Sequence, residues 1–166
     1  MSSLAPQIAL VLLLSTVAYG EVSQAVCLSD RVGLNAHSRT TFDTEIREIL
    51  KPIGVTFHEI CTEGAVRVVL SHHPPTRYAG ALGLAYRHGD RILAGLHVYL
   101  QPVVKLLGER ASAGVVGRAL ARVAAHEVGH YVFQQTDHHH HGLMREAFPL
   151  AQLASDDFTY FLQAKR

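Results

Sequence analysis

The chain has 166 residues, the length of one domain, and 48% of them are apolar, which suits a globular core. A formal net charge of +1, with no run of Lys or Arg, gives no electrostatic footing for nucleic acid or for stable attachment to an acidic membrane surface. Histidine is the outlier, with twelve residues, most of them in the second half.

The first twenty residues, MSSLAPQIALVLLLSTVAYG, carry no charged side chain, and Ile8 to Leu14 is unbroken apolar sequence. Ala18 and Gly20 place small residues at −3 and −1 of a cleavage site. Residues 1–20 therefore read as a secretory signal, and the apolar run is shorter than the roughly 20 residues of a spanning helix. The expectation is a secreted or periplasmic protein whose single domain covers 21–166. Cys27 and Cys61 are the only cysteines. In an exported chain the natural state of such a pair is a disulfide, the alternative being one cysteine that caps a metal in a latent form.

The elements that follow suggest an α+β fold. Thr40 or Thr41 can cap a helix through about Leu50, with Phe42, Ile46, Ile49 and Leu50 as its apolar stripe, ended by Pro52 and Gly54. Val55 to Ile60 and Val66 to Leu70 are β-branched and alternating, hence short strands. Pro74 and Pro75 make 72–80 a loop. ALGLAY (81–86) and ILAGLHVYL (92–100) read as two strands joined at RHGD, with Pro102 at the end of the second or in the first turn of a short helix toward Leu107. Ala111 to Phe133 is a long helix, apolar enough to be packed on both sides. A final helix is expected from Ser155, its cap, to the terminus, with Asp156 and Asp157 in its first turn.

The long helix carries His126, Glu127 and His130 as HEVGH. Positions i and i+4 share a helix face, so the two imidazoles can bind one Zn²⁺ at roughly 2.0–2.1 Å each. Glu127, turned about 100° around the axis, can reach a water on the metal without being a ligand, and can take its proton as the water attacks a carbonyl. A catalytic zinc needs a third protein ligand and an open position. Asp137, His138 and His139 are the candidates; neighbours in an extended segment face opposite ways, so at most one or two of the run can face the metal, and His138, the first histidine after the helix exit and the nearest along the chain, is preferred. His140 and His141 are expected to be exposed. His37, His58, His72, His73, His88 and His97 are expected to be non-ligands, and Tyr131 and Phe133 to belong to the core.

These residues resemble the metzincin clan of zinc metallopeptidases, in particular small, matrixin-like bacterial secreted proteins, whose pattern is H-E-x-x-H-x-x-G-x-x-H followed by a Met-turn. The resemblance is specific over Ala125 to Met144 and extends plausibly over Thr40 to Arg166. It implies that Met144, in HGLM, is the Met-turn methionine beneath the metal. It implies a small twisted mixed sheet packed on the zinc-binding helix, with an N-terminal and a C-terminal helix. Two departures stand out: the family glycine is Phe133 here, and the usual third-ligand position is Thr136, so a lengthened loop would have to bring His138 to the metal.

The function expected is a zinc-dependent endopeptidase, a monomer acting on peptide or protein substrates laid along ALGLAY by β-augmentation, with Glu127 as general base. The alternative is a non-catalytic zinc-binding or metal-carrying exported protein, which the histidine run would suit.

Overall fold

The computed structural model describes residues 24–162. The expected export signal over 1–20 lies outside the described residues. The elements run β1 (Gln24–Asp30), α1 (Ala36–Leu50), β2 (Val55–His58), β3 (Val66–Ser71), β4 (Gly83–His88), β5 (Arg91–Tyr99), α2 (Leu100–Leu107), α3 (Ala113–Phe133) and α4 (Leu150–Ala154). The five strands form one sheet in the order β2-β1-β3-β5-β4. β1 pairs in parallel with β2 and β3, β3 in parallel with β5, and β4 antiparallel with β5, leaving β4 at the edge. The fold is thus mixed α+β, as the patterning implies.

One face of the sheet packs on α1 and α3. Val26, Leu28, Val66, Val68, Leu70, Leu96 and Val98 alternate onto that face and meet Phe42, Ile46, Ile49, Leu120 and Ala124 in one core. The two helices approach so closely that a Cβ on Gly117 would lie 2.2 Å from the Ser38 carbonyl oxygen. Ser38 fills the remaining space, and its hydroxyl donates to the Ala113 carbonyl at 2.8 Å.

Three features differ from the patterning. β1, which the patterning does not mark, sits between β2 and β3; its register is set by parallel partners that are distant in sequence. Cys27 on this strand is joined to Cys61 with Cα atoms 5.2 Å apart, which ties β1 to the segment after β2. The first helix begins at Ala36 rather than at Thr40 or Thr41, because Asn35 Oδ1 accepts the Ser38 N–H at 2.9 Å. Thr41 instead returns its hydroxyl to the His37 carbonyl inside the helix.

The expected C-terminal helix from Ser155 is the third. α4 ends at Ala154, and Ser155 is extended, at ψ 151°. Ser155 Oγ accepts the Asp157 N–H and Asp157 Oδ1 accepts the Thr159 N–H, two local turns that compete with a helix. Among the described residues a single 3₁₀ turn, Thr159–Leu162, follows. The backbone here is held by α3: Arg118 donates to the Ala154 carbonyl, and Arg122 donates to the carbonyls of Gln152 and Asp157. Arg122 is fully buried and its Nε donates to Glu45 of α1 at 2.7 Å, so one guanidinium joins α1, α3 and the segment 152–157.

Candidate metal centre

α3 brings His126 and His130 together as the i, i+4 spacing requires, and both are buried. Each ring is fixed through Nδ1. His126 Nδ1 donates to the Leu143 carbonyl at 2.7 Å, and His130 Nδ1 donates to the Gln135 carbonyl at 2.6 Å. A carbonyl oxygen only accepts, so in the neutral ring both Nδ1 atoms carry the proton and both Nε2 atoms present lone pairs. Burial keeps the rings neutral: it lowers His126 to about 4, with His130 and His138 adding to the effect and the Leu143 carbonyl opposing it. His130 is lowered as well, by burial first and then by His138.

The two Nε2 atoms stand 3.1 Å apart. Two acceptors at that distance repel unless a cation lies between them. Four donors at roughly 2.05 Å around a tetrahedral ion would stand about 3.3 Å from one another, close to the spacing here. His138 completes the group. Its ring is parallel to that of His126, with centroids 5.3 Å apart, and nearly perpendicular to that of His130 at 4.9 Å. Ligand atoms of the three histidines lie within 4.8 Å of one another, so the donor set fits a metal ion. It is an imidazole set, of the kind that suits zinc, copper, iron or nickel.

Of the three candidates for the last position, the structure brings His138 to the cluster and leaves Asp137 and His139 out of it. The reason lies in the backbone. His139 pairs with Arg145 in an isolated bridge, and its N–H donates to the Met144 carbonyl at 2.8 Å, which sends the neighbouring His138 side chain the other way. His140 and His141 are exposed, with rings 6.5 Å apart. The earlier histidines, from His37 to His97, are not in the cluster.

Met144 is buried against α3, where a Cβ on Gly129 would fall 2.4 Å from its Sδ. Gly129 adjoins His130, so the turn Gly142–Arg145 seats on the helix directly beside the ligand face, and from there Leu143 reaches His126. Phe148 closes the same side, its ring edge-to-face with His126 at 5.4 Å.

Glu127 is buried and faces the edge strand: a Cβ on Gly83 of β4 would lie 2.5 Å from Glu127 Oε1. Burial raises this carboxyl to about 8. The three histidines and Glu127 line a cavity of about 1350 Å³ bounded by Gly83 and Leu84 of β4, Lys105 of α2 and Phe148. His73 and Thr136 also line it.

The sequence reading did not anticipate Gln135, Leu143, Gly83 or Gly129. The first two act through main-chain carbonyls, which leave no trace in residue type. The two glycines are visible as missing side chains, and only the packing shows what fills the space. The chain matches no protein-family model, and no curated protein matches it.

Proposed function

We propose that the chain is a secreted or periplasmic zinc-dependent endopeptidase of metzincin type, acting as a monomer on peptide or protein substrates. The observation that carries this reading is the pair of carbonyl-locked imidazoles with their Nε2 lone pairs 3.1 Å apart, beside a buried carboxyl and at the wall of a large cavity. His126, His130 and His138 would hold the metal. Zinc, when bound, supplies a Lewis acid that polarises the scissile carbonyl and acidifies a water.

The rest of the chemistry belongs to the chain. Glu127 takes the proton of the attacking water and returns it to the leaving amine. Burial holds its pKa in the range where a carboxyl can do both, and an adjacent dication would draw it down toward the carboxylate. Among the described residues β4 has one side unpaired, and an extended peptide can add to it by main-chain hydrogen bonds, passing Gly83 where no side chain separates it from Glu127. The Cys27–Cys61 disulfide supports an oxidising, exported setting. Among the described residues no helix is long and apolar enough to cross a membrane.

Purified protein should carry one zinc per chain and cleave casein or a peptide library. Glu127→Gln should retain the zinc and lose roughly 10²–10⁴-fold in rate. A zinc-loaded wild type that cleaves nothing across pH and salt would favour the non-catalytic zinc protein instead, and a Glu127→Gln variant as fast as wild type would refute the mechanism.

A further inference from the structure

Gln134 is the one non-glycine residue with a positive φ among the described residues. It ends α3 in the left-handed conformation, at φ 51° and ψ 40°, a position usually given to glycine or asparagine because a Cβ is disfavoured there. The chain therefore tolerates strain at the turn that leaves the metal helix, and such outliers gather where a site is held in one geometry.

The side chain shows what offsets the strain. Gln134 Oε1 accepts the Ile92 N–H at 3.0 Å, and Gln134 Nε2 donates to the Ile92 carbonyl at 3.4 Å and to the Tyr131 carbonyl at 2.6 Å. The primary amide thus pairs with both main-chain groups of Ile92, as a neighbouring strand residue would. It does so beyond the last β3–β5 pairing, Arg67 with Gly95, where β5 has run past its parallel partner. Ile92 in turn pairs with Arg87 of β4, so the amide ties the end of α3 to the hairpin that carries the cavity's edge strand.

The next residue makes the connection to the metal. Gln135 N–H donates to the His130 carbonyl at 3.3 Å, and the Gln135 carbonyl receives the His130 Nδ1 proton. Three residues later the chain delivers His138. Glycine at 134 would give the same backbone turn without strain but could not hold Ile92.

We propose that Gln134 is a positioning residue for the metal centre: its amide clamp on Ile92 fixes the left-handed turn that aims the Gln135 carbonyl at His130 and sets the path to His138. This rests on the metal-binding part of the function proposed above and is independent of peptidase activity.

The test compares wild type with Gln134→Gly and Gln134→Asn. Glycine removes strain and clamp together; asparagine accepts the left-handed backbone but is too short to reach Ile92. Zinc affinity is measured by chelator competition, the ligand field by the visible spectrum of the Co²⁺-substituted protein, and fold by thermal melting of the metal-free protein. Both variants should bind zinc about 10-fold or more weakly, the range for loss of an outer partner of a ligand, with an altered Co²⁺ spectrum and an unreduced metal-free melting temperature for the glycine variant. If the residue is only a helix cap, the melting temperatures move while zinc affinity and Co²⁺ spectrum stay at wild type, and the inference is overturned. If wild type itself binds no zinc, the metal reading fails and this inference with it.

Discussion

Glu127 offers a sharp test through the stability of the metal-free protein. Its carboxyl lies at about 8 in the fold and at an ordinary 4.5 in the unfolded chain. Between those values the folded state holds a proton that the unfolded state has released, so stability is full below 4.5 and falls as pH rises toward 8. His126 acts in the opposite sense: lowered to about 4, it stays neutral in the fold while the unfolded chain takes up a proton below 6.5, so it removes stability as pH falls from 6.5 to 4. Below 6.5 the two oppose each other. From 6.5 to 8 Glu127 acts without that opposition. Those 1.5 units, at 1.36 kcal/mol each, are worth about 2 kcal/mol. Metal-stripped wild type should therefore lose about 2 kcal/mol more than Glu127→Gln between pH 6.5 and pH 8 in urea melts followed by circular dichroism. Comparing the two proteins cancels every other group that titrates in this window. With zinc bound, the dication favours the carboxylate and the difference should shrink. Parallel stability curves for the metal-free pair would refute the claim that burial alone sets this carboxyl.

Gly129→Ala should place a methyl group 2.4 Å from Met144 Sδ, well inside van der Waals contact, and push the Leu143 turn off His126. Chelator competition should show zinc affinity lower by about 10-fold or more, with about 1–3 kcal/mol of stability lost in urea melts. Removing the Cys27–Cys61 bridge, which spans 34 residues, by a double alanine substitution should cost about 4 kcal/mol on the chain-entropy model, read from urea midpoints. Arg122→Met should cost about 3–5 kcal/mol by leaving Glu45 buried and unpaired, and adding Glu45→Met should recover much of that in the same assay.

The HEVGH spacing makes the facing of His126 and His130 legible in the sequence, because helix geometry alone fixes it. The strands from Val55 onward were legible from alternation, within a residue or two at their ends. β1 was not: its identity comes from parallel neighbours on both sides rather than from its own pattern. Ser155 and the aspartates after it look like a helix start, but the same side chains close turns on their own backbone, and arginines of α3 hold the carbonyls nearby. In the histidine cluster, the ring orientations depend on the carbonyls of Gln135 and Leu143, whose residue types carry no such information.

α3 meets three separate demands along one rod. Gly117 abuts the Ser38 carbonyl, Arg122 reaches Glu45 and the carbonyls of Gln152 and Asp157, and His126 with His130 faces the cavity. Inserting or deleting one residue between Gly117 and His126 would rotate these faces against each other by about 100°. A change of helix length between them therefore cannot be absorbed locally, since each face is held to a different partner.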